Sequence, residues 1–357
     1  CVDLRVSGSE TRDTIEGSMI VDGKRQPLTL HVRPFALPER PSFACEMNSY
    51  GVPDRVQTYY ELQRIARNHR CHVNILHYSH RTAAAGARKC NLDMKLWDGR
   101  RMNEARYNAI QPGASKAYWN DFVTAFDRHL QSGPPGFYLT FHESWPLNMR
   151  PHWNGNMDAY EAFSKPYEQT FVNILADFGR VAGRHAWRDA GLQIYLNNKG
   201  TPKDPTKQPW ILDEPSSYWD YRALAYYGDL VKQSTLPNLR YRIDISRPQF
   251  TRGQLRDKAA LWVVGSDAFR TYPRLLADRR EREGTDMWIY GTTPAPERPV
   301  EEVQAWVMEA YRRGATGVVP WQTVDKKGSS LTTANALGLF IFDHSGDALQ
   351  IRHSRRL

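Results

Sequence analysis

Eight short apolar segments, separated by stretches with helical spacing, limit this chain to very few architectures. They run over residues 43–48, 72–77, 137–142, 192–196, 239–245, 260–264, 287–290 and 317–321. Strands covered on both faces read as continuous apolar runs, and parallel neighbours need a crossover helix between them. Several of the intervening stretches carry such helices. Asp54 caps one that runs to Asn68, with Tyr59, Leu62, Ile65 and Ala66 on one face. Another spans 116–130. Phe171, Ile174, Leu175, Phe178 and Ala182 mark a third, and Leu224, Tyr227, Leu230 and Val231 a fourth. A fifth opens on Glu301 and Glu302 and closes on Arg312 and Arg313, charges that suit the helix dipole. Val303, Trp306, Val307 and Ala310 form its buried stripe, and Gly314 stands where a left-handed C-cap is expected. Eight such units predict a (β/α)8 TIM barrel, an α/β fold. An open doubly wound sheet is the nearest competitor, but no glycine-rich phosphate loop follows the first strand. A long irregular stretch, 79–113, is the kind of insertion that usually carries function.

Residues 1–33 follow a different rhythm. Polar and apolar residues alternate, and Asp22-Gly23 falls between two such runs as a hairpin turn. This predicts the C-terminal remnant of a β-sandwich. Residues 34–41, with Pro34, Pro38 and Pro41, read as a stiff linker. The barrel then occupies 42–357 and ends in what reads as the middle of an element, as though truncated.

Composition excludes several classes. With 41% hydrophobic and 24% charged residues, the chain is globular rather than disordered. It has no run of about 18 apolar residues, so no membrane span is expected. The net charge of +9 is dispersed, without the basic-aromatic pattern of a nucleic-acid binder. Cys1, Cys45, Cys71 and Cys90 lack metal-ligand spacing and are too few for a disulfide scaffold. Neither a cofactor nor a metal is expected. Cys1 fits either a lipidated terminus or the edge of a longer chain. Oligomeric state has no signature here.

In βα barrels the reacting groups sit at the C-terminal ends of the strands. Here those positions hold Asn48, then His77 and His80, then His142, Glu143 and Trp145, then Asn197 and Asn198. Asp244, Ser246 and Arg247 end the fifth strand, Tyr290 the seventh and Trp321 the eighth. Each has a plainer reading. The histidines can be structural, Asn197-Asn198 a turn, Asp244 and Arg247 a rim ion pair, and Trp321 core. The loop after the fourth strand holds Trp210-Ile211-Leu212-Asp213-Glu214-Pro215. Asp213 and Glu214 there form an adjacent carboxylate pair, whose mutual repulsion separates the two protonation equilibria. Acids before a proline can also simply open a helix.

The region from Phe35 onward resembles glycoside hydrolase family 123 and its wider DUF4091 relatives. The resemblance is carried by Phe35-Ala36-Leu37-Pro38, Leu212-Asp213-Glu214-Pro215, Trp288-Ile289-Tyr290-Gly291 and Gly314-Ala315-Thr316-Gly317-Val318-Val319-Pro320-Trp321. It implies a β-sandwich ahead of the barrel, an extracytoplasmic location, and a retaining hydrolase of β-linked N-acetylgalactosamine that uses the substrate's own acetamido group. By position, Asp213 would orient that group and Glu214 would be the general acid/base. Tyr290 would hydrogen-bond the acetamido oxygen and Trp321 would stack under the sugar. His142, Glu143, Trp145, Asn197, Asp244 and Asn48 would complete the carbohydrate site. The chain departs from the family's pattern, because the acid pair lies well beyond the apparent end of the fourth strand, and His142-Glu143-Ser144-Trp145-Pro146 and Asp244-Ile245-Ser246-Arg247-Pro248 suggest a distant subgroup. An ordinary two-carboxylate glycosidase, with Glu143 or Asp244 as nucleophile, and a non-catalytic carbohydrate-binding barrel are the alternatives.

Overall fold

The computed structural model describes residues 6–7, 9–35, 41–47, 56–73, 136–141, 149, 152–184, 191–196, 209–233, 239–292, 298–321, 339–343 and 350–353. The chain divides into two compact units, 1–41 and 42–357.

In the first unit, β1 (Thr14–Val21) and β2 (Lys24–His31) pair antiparallel from Thr14↔His31 to Val21↔Lys24. Asp22 and Gly23 make the turn with φ of 49° and 74°, the left-handed pair that a two-residue hairpin needs. Most of both strands is exposed, including Ile20.

The second unit is built on parallel strands. They are β3 (Ala44–Met47), β4 (His72–Val73), β5 (Gly136–Phe141), β6 (Gly191–Leu196), β7 (Leu239–Ile245), β8 (Leu261–Gly265), β9 (Asp286–Thr292) and β10 (Gly317–Trp321). The sheet order is β4-β3-β10-β9-β8-β7-β6-β5, and every neighbouring pair is parallel. This order is compatible with a TIM-like fold. Seven strands form one curled half-barrel sheet, and β4 joins β3 through a two-residue ladder. The expected segment 72–77 is described only as far as Val73, and the expected helix at 116–130 lies outside the described residues.

The helices are α1 (Val56–Asn68), α2 (Ala159–Ala162), α3 (Lys165–Arg184), α4 (Tyr218–Lys232), α5 (Ser266–Thr271), α6 (Pro273–Glu283) and α7 (Glu301–Arg312). The end of α7 matches its sequence: Gly314 has φ 86° and its N–H donates to Tyr311 O at 2.9 Å. Sequence periodicity missed α2, α5 and α6. The first two are too short to show a period, and α6 buries only Leu276. At the chain's end, β11 (Phe340–Asp343) and β12 (Gln350–His353) form a hairpin.

Strand alternation divides the apolar residues into two cores. The larger one packs Ile243, Ile245, Trp262, Val264, Met287 and Ile289 of the sheet with side chains from the helices. The smaller lies on the other face of the same strands and holds Leu261, Val263, Trp288 and Val319, with Ala44 and Tyr290 against it. Polar side chains of that second face build the site.

Candidate active site

The loop that carries the two acids is held at both ends by one helix. Ser217 caps α4, and its Oγ accepts from Asp220 N at 3.3 Å. The Asp220 carboxylate returns bonds to the loop. Oδ2 accepts from Ser216 N at 2.9 Å and Ser217 N at 2.8 Å, and Oδ1 accepts from Ile211 N at 2.8 Å. Upstream, Trp210 is fully buried and its Nε1 donates to Met157 O at 2.8 Å. Its ring lies 6.4 Å from Trp153 and 5.7 Å from Phe163. Phe163 in turn stacks on Tyr167 at 4.3 Å. Asp213 and Glu214 therefore sit between two fixed anchors.

Glu214 has φ 57°, a left-handed backbone that costs a non-glycine residue about 1–2 kcal/mol. Such strain persists only where the surroundings impose it. Asp213 is 4% exposed, whereas Glu214 is half-buried and accepts a hydrogen bond from Tyr290 Oη. Burial, together with the Glu214 carboxylate it faces, pushes the Tyr290 phenol far above its ordinary value, so it stays a donor.

Asp244, on β7, adds a third carboxylate. Burial raises it to about 6, Arg242 opposes that rise, and the charges of Asp213 and Glu214 add to it. The three acids are thus within electrostatic reach of one another. Asp244 is also one end of a buried chain of polar groups. Arg242 grips it with two bonds, Nε to Oδ1 at 2.6 Å and Nη2 to Oδ2 at 2.9 Å. Arg242 Nη1 donates to Glu46 Oε1 at 2.9 Å. Glu46 Oε2 accepts from Gln193 Nε2 at 3.0 Å and lies 3.1 Å from His72 Nε2. Burial works against the charge of Arg242, but Asp244 and Glu46 outweigh it and hold the guanidinium well above its ordinary value. Tyr195 lies with its ring centroid 5.2 Å from that guanidinium. Strands β3, β4, β6 and β7 each contribute to this chain.

A cleft of about 870 Å³ opens beside Tyr290 and runs between α5 and α7, past Ser246, Arg270, Arg298 and Trp306. Its volume is in the range that ligand pockets occupy. Among the described residues, no group of three or more His, Cys, Asp or Glu could hold a metal ion.

Of the residues singled out in the sequence, Asp213, Glu214, Tyr290 and Asp244 come together here. Trp321 is half-buried at the end of β10, opposite Thr292 in register. His142, Glu143, Trp145, Asn197 and Asn48 lie outside the described residues, as do His77 and His80. Asp244 pairs with Arg242, where the plainer reading of the sequence offered Arg247. A side chain two residues back on a strand shares the same face, whereas Arg247 lies beyond the strand end and reaches Ser246 Oγ. Nor do the two acids open a helix, since α4 starts at Tyr218 with Ser217 as its cap. Glu46, His72, Gln193, Arg242 and Asp220 are additions from the structure. Two signals were present in the sequence: charged residues at alternate places in Tyr241-Arg242-Ile243-Asp244-Ile245, and the capping-box spacing from Ser217 to Asp220. No family model matches the chain, and no curated protein matches it either.

Proposed function

We propose that this chain is a glycoside hydrolase acting on β-linked N-acetylhexosamine, by retention and with assistance from the substrate's 2-acetamido group. The observation that supports it best is the strained, half-buried Glu214 receiving the Tyr290 hydroxyl, next to the buried Asp213. An ordinary retaining pair stands on opposite sides of the glycosidic bond, with carboxyls about 5 Å apart. Sequence neighbours on one tight loop do not straddle a bond in that way, so another nucleophile is required. The acetamido oxygen supplies it by attacking the anomeric carbon. Asp213 accepts the acetamido N–H and stabilises the positive charge that develops there. Glu214 gives a proton to the leaving oxygen, then removes one from the incoming water. Tyr290, which donates to Glu214 here, donates to the acetamido oxygen once the sugar is bound, and Trp321 forms the floor under the ring. In the same reading the parallel sheet closes as a complete barrel, the hairpin at 14–31 is the end of a β-sandwich, and the protein works outside the cytoplasm.

One observation favours a second reading. Asp244 is near enough to feel the charges of Asp213 and Glu214, so it is the candidate for an ordinary nucleophile. A set of aryl β-glycosides with and without the 2-acetamido group separates the two. The first reading expects turnover of the acetamido sugars alone, abolished by Glu214→Gln. Equal rates on the plain sugars would transfer the role to Asp244. Binding of glycans without turnover of any, unchanged in Glu214→Gln, would leave a carbohydrate-binding barrel.

A further inference from the structure

We infer that Cys45 and Cys71 are a disulfide-forming pair that fastens β3 to β4. The two strands run parallel with Glu46 opposite His72 and Met47 opposite Val73, so the cysteines are the residues immediately before that ladder on each strand. Neighbouring strands lie about 4.8 Å apart, inside the roughly 4.4–6.8 Å of Cα separation that a disulfide spans. Both thiols are free and half-buried, and both pack against the same apolar core on the sheet's helix-bearing side. Each thiol shifts the other's protonation. Cys71 Sγ donates to His69 O at 3.3 Å. The chain's cysteine spacing gave no hint of this, because the pair is made by strand register and not by a local motif.

The two sulfurs are unequal. Cys45 holds the Cys71 thiol below its usual range, while Cys71 and burial push Cys45 well above it. Cys71 is therefore the first nucleophile, since the thiolate is the reacting form. Its thiolate attacks one sulfur of a disulfide oxidant, either a small molecule or an exchange protein, and releases one thiolate from it. Cys45 then gives up its proton and attacks Cys71 Sγ, expelling the second thiolate. The pair loses two protons and two electrons, and the oxidant's disulfide becomes two thiols.

The consequence reaches the polar chain. Glu46 and His72, the next residues along, meet 3.1 Å apart on the strands that the bond would lock. Oxidation thus fixes the β3–β4 register from which the buried chain to Arg242 and Asp244 starts. The inference holds whatever reaction the site performs.

The test uses the full chain, incubated with oxidised glutathione near pH 8, alkylated and digested without reductant. We expect a cross-linked peptide joining Cys45 to Cys71, broken by dithiothreitol, and a melting temperature higher in the oxidised form by on the order of 5 °C. Cys45→Ala should instead trap Cys71 as a stable mixed disulfide carrying one glutathione, because the resolving thiol is gone. The inference is overturned if both cysteines remain open to alkylation after oxidation. Pairing of either with Cys1 or Cys90, or a stable mixed disulfide on the unaltered chain, would overturn it equally.

Discussion

Tyr290 Oη donates to the Glu214 carboxylate, joining the end of β9 to the loop after β6 across 76 positions of sequence. The donor is fixed in its protonated form by burial and by the acceptor itself. On the proposed mechanism the same hydroxyl turns to the acetamido oxygen as charge develops there. Tyr290→Phe should then lower kcat on an aryl N-acetylhexosaminide by about 10²–10³-fold, the usual loss for one preorganised donor. KM should change little. A loss confined to KM would assign Tyr290 to substrate binding alone.

Strain at Glu214 can be weighed by comparing two variants that both lack the carboxylate. At φ 57° glycine is at ease, whereas alanine is not. Glu214→Gly should be more stable than Glu214→Ala by about 1 kcal/mol in urea unfolding, although glycine also loosens the unfolded chain. Both should be inactive. Equal stabilities would mean that the backbone relaxes once the side chain is gone, and the strain would then belong to the Tyr290 bond rather than to the loop.

Asp220 is the clasp of that loop, accepting from three backbone N–H groups on either side of the acids. Its loss leaves those donors short of a partner and opens the capping box. Asp220→Ala should cost about 2–3 kcal/mol, against about 1 kcal/mol for Ser217→Ala, which removes only one cap bond. Activity should fall in Asp220→Ala even at temperatures where the chain is fully folded. An active, fully folded Asp220→Ala would show that the loop is held by Trp210 and its aromatic neighbours instead.

How far the sequence could be read follows from these contacts. The parallel strands were legible as short, largely apolar runs set between stretches of helical spacing, and α7 because its charges, stripe and Gly314 agree. The acids at 213 and 214 were legible as a pair. Their support was harder to see, because Asp220 acts through a turn and Glu46, His72, Gln193 and Arg242 meet only when the sheet curls to bring β3 and β4 across from β6 and β7. Each of those four looks, in its own segment, like an ordinary polar residue. What links Glu46 to Arg242, 196 positions apart, is curvature of the sheet.

The Asp244 carboxyl, raised to about 6 from an ordinary value of 3.8, ties stability to pH. The folded chain binds that proton more tightly than the unfolded one. The stabilising contribution is therefore complete below pH 3.8 and is lost as pH rises through 6. The gap corresponds to on the order of 3 kcal/mol. Relative to Asp244→Asn, the native protein should lose about that much stability between pH 4 and pH 7.5, measured by urea unfolding at each pH. Parallel pH curves for the two proteins would mean that Arg242 cancels the cost of burial completely.

Arg242 bridges Glu46 and Asp244, and its side chain is 1% exposed. Removing one partner of a buried ion pair costs about 3–5 kcal/mol, because the abandoned charge remains in a poorly solvating place. Arg242→Met should incur that cost. Adding Glu46→Gln and Asp244→Asn to it should recover a large part, since the neutral amides need no counter-charge. Arg242→Lys should fall between, because an ammonium cannot repeat the two-bond grip on Asp244. If the triple variant is no more stable than Arg242→Met, the destabilisation comes from lost packing against Tyr195 and not from charge.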